Sequence, residues 1–175
     1  MGYTVVQRVV TPDEWVYGYL DIFARKAKLL YNAALFRIRN IFTGYRKDHR
    51  TENESGVFAE VQLLQIAYPG KTVRRVITYY QLEKLFRVTE NQDFFAGLPM
   101  QTDFKNWLAS LKAYKKHPEK FLGKPKMPGY KKSDLCTFAF SNQDVVLYPQ
   151  ETGVQVKLPM TKTRLSFSNL SADAF

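Results

Sequence analysis

Apolar positions change period twice along this chain, and each change marks an element. Tyr3 to Val10 is short and β-branched, which predicts a strand. Thr11-Pro12-Asp13-Glu14 reads as a helix start: a capping hydroxyl, a proline in the first turn, and two acids at the positive end of the dipole. Leu20, Phe23, Ala27, Leu30, Tyr31, Ala34, Leu35, Ile38, Ile41 and Phe42 then recur at spacings of three and four. They predict one long helix ending near Thr43-Gly44, with Arg25, Lys28, Arg37 and Arg39 read as lying off its stripe. Residues 44–56 are polar and without period, and predict a loop. Residues 57–68 fit helix or strand, and Pro69-Gly70 ends them.

Thr78 to Arg87 predicts a helix with Leu82, Leu85 and Phe86 on one face. Asn91 to Met100 reads as a turn region. Thr102 to Lys116 predicts another amphipathic helix, with Phe104, Trp107, Leu108, Leu111 and Tyr114 inward and Lys105, Lys112 and Lys116 outward. His117-Pro118 stops it. After an aperiodic Lys120–Lys132 the period becomes two. Leu135–Phe140, Val145–Tyr148, Val154–Leu158 and Arg164–Ser168 predict four strands, with a turn over Pro149–Gly153. There is no internal repeat. The expected fold is α+β: a small β-barrel with a helical domain inserted after its first strand. The expected divisions are 1–10 (first strand), 11–118 (helices), 119–134 (basic connector) and 135–175 (remaining strands).

Charge changes this picture more than composition does. The chain is 45% apolar, enough for a sizeable core, and carries a net charge of +10. Between Lys105 and Lys132 stand nine lysines and one acid, Glu119. Such a run repels itself and calls for a polyanion or open water. Tyr114, Phe121 and Tyr130 are interleaved with it, and prolines stiffen it, which favours nucleic acid over a purely solubilising loop. Tyr79 and Tyr80 cannot both face inward from one helix, so that pair is a better stacking candidate than Trp107, which falls on an apolar stripe.

Catalytic chemistry is sparse. Cys136 has no evident partner among His49 and His117, and it excludes an internal disulfide, so it reads as a buried small residue in a reducing cytoplasm. No glycine-rich phosphate loop follows a strand. Glu52 and Glu54 sit in the polar stretch and read as solvated. No cofactor or metal is expected in this chain, and no membrane segment or signal peptide is legible.

Several segments resemble the N-terminal part of TnpB proteins, the transposon-encoded relatives of type V CRISPR effectors. They are Leu30–Leu35 with Arg37-Ile38-Arg39, Tyr79-Tyr80-Gln81-Leu82, and Leu98-Pro99-Met100-Gln101. The fullest likeness is Trp107 to Tyr130, with His117–Phe121 and Gly123-Lys-Pro-Lys-Met-Pro-Gly-Tyr-Lys-Lys132, followed by Phe138–Gln143. The resemblance spans nearly the whole chain.

It implies a guide RNA and target DNA as partners, and a wedge β-barrel with an inserted helical recognition domain. Arg25, Lys28, Arg37, Arg39, Tyr79, Tyr80 and Gln81 would then face the heteroduplex and the motif-bearing duplex. Lys105, Lys112, Lys116, Lys120, Lys124, Lys126, Tyr130, Lys131 and Lys132 would contact nucleic acid, and Ser141, Asn142 and Gln143 would lie near the target-adjacent motif. The family's RuvC-like nuclease domain and zinc ribbon do not occur in this sequence. DNA cutting by this chain alone is therefore not expected, and Mg²⁺ would belong to the missing nuclease domain. The sequence reads equally as a truncated gene product, an excised fragment or one chain of a split protein whose nuclease half lies elsewhere. The sequence also passes directly from Leu98–Gln101 into the Trp107 helix, where many members have more helix. The alternative expectation is a basic DNA-binding regulator acting without a guide, and a third is a protein-interaction module with an incidental basic loop.

Overall fold

Four helices and a three-stranded sheet make up the computed structural model, which describes residues 8–70, 72–90, 97–138, 140, 145–159 and 161–168. The side chains of 90, 97–102 and 168 are outside that description. The helices are α1 (Trp15–Gly44), α2 (Glu52–Ala67), α3 (Tyr79–Glu90) and α4 (Gly97–Lys116), followed by a 3₁₀ turn over Pro118–Lys120. The strands are β1 (Val146–Gln150), β2 (Gly153–Lys157) and β3 (Arg164–Ser168). Two units result: Met1–Phe23 with Phe140–Phe175, and Ala24–Ala139.

The second unit is built on the predicted α1 stripe. Ala27, Leu30, Tyr31, Ala34, Leu35, Ile38 and Ile41 are buried against Val57, Val61 and Leu64 of α2 and Leu82, Leu85 and Phe86 of α3. Phe104 of α4 joins the same core, and Trp107 and Leu108 pack against it half-buried. Each buried aliphatic side chain contributes about 1.5–3 kcal/mol, so this cluster carries most of the unit's stability.

The stretch expected to be a loop is folded in its second half. Thr51 caps α2 by a capping box: its hydroxyl accepts from the Glu54 N–H, and its own N–H donates to the Glu54 carboxylate at 2.9 Å. Glu54 is buried rather than solvated. It also accepts from Thr43 Oγ1 at 2.7 Å and Lys47 Nζ at 2.7 Å. These donors, Lys47 foremost, hold its carboxyl down at about pKa 2. The α2 side chains pack so closely on the end of α1 here that a Cβ on Gly44 would lie 3.1 Å from the Phe58 ring and 3.2 Å from the Glu54 side chain. Pro69-Gly70 ends α2 as expected, with Gly70 at φ 84°.

In the first unit β1, β2 and β3 pair antiparallel in that order, with Gln150 opposite Gly153 across a two-residue turn. Pro149 lies in β1, an edge strand, where its missing N–H is tolerated. Val16, Val154 and Leu165 are buried. Tyr19, Phe23 and Phe140 form an aromatic cluster with centroids 4.5–6.4 Å apart. The Tyr19 hydroxyl donates to the Pro159 carbonyl at 2.9 Å.

The small β-barrel expected from the sequence is not formed. The described residues are mostly helical, and their one sheet is open, with β1 and β3 as edges. Residues 8–10 are not strand, and 3–7 lie outside the described residues. The described part of Leu135–Phe140 is not strand either. Its alternation serves the helices instead: Cys136 and Phe138 pack against the helical core, and the Cys136 N–H donates to the Ala24 carbonyl at 3.2 Å. Committing one face of that segment to helices leaves three strands among the described residues, too few to close a barrel.

Candidate nucleic-acid interface

The basic connector is an extended strap laid antiparallel along one face of α1. Lys28, Asn32 and Arg39 share that face, at spacings of four and seven. The Arg39 guanidinium lies over the Tyr130 ring, 5.4 Å from its centroid. The Asn32 side chain reads the Lys131 backbone as a strand would: Nδ2 donates to the Lys131 carbonyl at 3.0 Å, and Oδ1 accepts from its N–H at 2.8 Å. Lys28 Nζ pairs with Asp134 at 3.1 Å. The Cys136–Ala24 bond continues the same direction of travel.

Neutral groups fix the upstream half. The Trp107 indole N–H donates to the Pro125 carbonyl at 3.1 Å, and its ring packs edge-on against Phe42, with centroids 5.3 Å apart. Met127 packs against the core. Tyr114 and Phe121 meet edge-to-face at 5.8 Å, which ties the end of α4 to the strap. At Lys131 the ammonium sits over the Tyr31 ring at 4.7 Å and 3.9 Å from Asp103. The Tyr31 hydroxyl donates to Asp103 at 2.9 Å, and burial, with Asp103 beside it, pushes its pKa well up.

The remaining lysines point away from this scaffold. Lys105, Lys112 and Lys116 are exposed on the outer face of α4, where eleven residues rise about 16 Å. Lys115, Lys120, Lys124, Lys126 and Lys132 are exposed too, and among the described residues no acid pairs with any of these eight. Glu119, the one acid in the run, lies 3.3 Å from His117 Nδ1.

Other predicted site residues have structural employment. Arg37 is buried: its guanidinium grips Glu60 at 2.7 and 3.1 Å and stacks over Phe86 at 4.5 Å. Gln81 completes a reciprocal cap with Thr78 and donates from Nε2 to the Thr72 carbonyl at 2.9 Å. Tyr79 packs against the core while Tyr80 is 73% exposed, so only Tyr80 is open to a ligand. Arg25 is exposed on α1. Ser141, Asn142 and Gln143 lie outside the described residues. Cys136 is half-buried. Asn32 and Trp107 hold the strap, a role the sequence does not announce for either.

Among the described residues no three His, Cys, Asp or Glu side chains gather to hold a metal ion. No helix of the described residues is long and apolar enough to cross a membrane. No protein-family model, curated protein or solved structure matches this chain.

Proposed function

We propose that this chain is a nucleic-acid-binding module of a TnpB-like RNA-guided DNA-targeting system. It holds guide RNA and target DNA through their backbones, and the nuclease chemistry lies outside these residues. The observation that carries the reading is the set of eight exposed lysines, free of acidic partners among the described residues, on the outer face of α4 and on the strap. Charge held in the open at this density is matched by phosphate. Tyr130, 46% exposed between lysines, adds a ring at the same surface. The RNA-guided part of the reading rests on the sequence resemblance, and the barrel that resemblance implied forms no part of it. The module would work in the cytoplasm, where one reduced cysteine needs no partner.

Replacing Lys112, Lys116, Lys124 and Lys126 by Ala tests the reading. The slope of log affinity against log salt should flatten by about 0.7–0.9 for each phosphate no longer neutralised. An unchanged slope rejects the interface. RNA co-purifying at near one-to-one, and sequencing to a single species, supports guide binding. Tight duplex binding with heterogeneous RNA, or none, favours the guide-free regulator instead.

A further inference from the structure

One large apolar side chain in the basic region stands clear of the strap's packing. Leu122 is the most exposed large hydrophobic residue described, at 114%, more than in an extended reference peptide. It stands at the tip of the bend between the 3₁₀ turn and the strap. Its base is not loose. Phe121 is pinned edge-on to Tyr114, the Phe121 N–H donates to the Pro118 carbonyl at 3.2 Å, and the Trp107–Pro125 bond holds the far side. A Cβ on Gly123 would meet nothing within 4 Å, so the tip is thin. Exposed Lys120 and Lys124, without acidic partners among the described residues, flank it. An apolar tip on a rigid stem between two cations matches a surface that is anionic outside and apolar within.

We propose that Leu122 is a wedge that enters an opened base step of a bound duplex, while Lys120 and Lys124 hold the phosphates beside it. This inference rests on the proposed nucleic-acid function. Stacked bases offer apolar faces behind a phosphate rail, and leucine is among the residues that proteins insert between base steps. The wedge would weaken the step it enters, the local event that strand opening requires.

The experiment uses the whole chain and a DNA duplex or RNA–DNA hybrid carrying 2-aminopurine at successive positions. Binding should raise fluorescence at one or two adjacent positions, where stacking is broken. Leu122→Ala should abolish that rise and weaken affinity about tenfold, the scale for withdrawing most of one leucine from an apolar surrounding. Its salt slope should stay at the parent value, because the lysines remain on their phosphates. Leu122→Phe should restore the rise. Parent affinity and fluorescence in Leu122→Ala would overturn the wedge while leaving nucleic-acid binding intact. Unchanged duplex binding, with loss of sedimentation on equimolar phosphatidylcholine–phosphatidylserine vesicles, would assign the tip to a lipid surface instead. Failure of the parent chain to bind duplex, hybrid or single-stranded RNA at low salt would remove the underlying function as well.

Discussion

Asn32→Ala isolates what the strap is for. The substitution deletes two hydrogen bonds to the Lys131 backbone, at 3.0 and 2.8 Å, and touches no charge. Each is worth about 1 kcal/mol net, because Lys131 is exposed and water takes over the orphaned groups. Together they bias the docked strap by about 2 kcal/mol, or roughly thirtyfold in population. The Trp107–Pro125 and Lys28–Asp134 interactions stay, so the helical core should remain folded. Hydrogen exchange at the Lys131 amide should quicken by up to that factor. RNA affinity should fall by the same factor or less, since binding must first redock the strap. The salt slope should not move, because the bound state still neutralises the same phosphates. Exchange at the parent rate would show that the two bonds do not hold the strap. A flattened slope would show that Asn32 acts on the charges rather than on the backbone.

Arg37→Met should destabilise the fold by about 2–3 kcal/mol in urea melts by stranding Glu60, with RNA affinity unchanged while the chain is folded. Gln81→Ala should remove one side of the α3 cap and cost about 1 kcal/mol, again without loss of RNA affinity; a binding defect at full stability would return Gln81 to the interface. Glu54 has a folded pKa near 2, below its ordinary 4.5, so its contribution is complete above about pH 4.5 and fades as pH falls toward 2. In Glu54→Gln that part of the acid limb of the stability curve should flatten, as urea midpoints across the range will show.

The helical half of this fold is legible because its signals are redundant. The α1 stripe from Phe23 to Ile41, the Leu82–Leu85–Phe86 face and Phe104 all turn up buried where period places them, with Leu20 and Phe42 half-buried at the stripe's ends. The α2 helix is harder because its apolar residues fall on both faces: Leu63 is 51% and Ile66 75% exposed beside buried Val61 and Leu64. Its true signal is the Thr51-x-x-Glu54 capping box inside a stretch whose composition is that of a polar loop. Arg37 is charged and so reads as lying off the α1 stripe, yet it stands seven residues after buried Leu30, two full turns away on the same side. Period-two alternation over Leu135–Phe140 misleads because it requires only that one face meet apolar surface, and helices supply that as well as a sheet. Asn32 gives no signal, since an asparagine bonding a backbone 99 residues away obeys no local rule.

What holds the strap has a consequence for how a polyanion would arrive. An amide, an indole and packed aromatic rings fix most of it, and among the described residues carboxylates reach its docked half at Lys28–Asp134 and beside Lys131. A phosphate chain approaching Lys112, Lys116, Lys124 or Lys126 therefore displaces small counterions and no internal acid. Among the described residues there are no ion pairs to break at those positions, so loading should be fast and release governed by salt rather than by refolding of the strap.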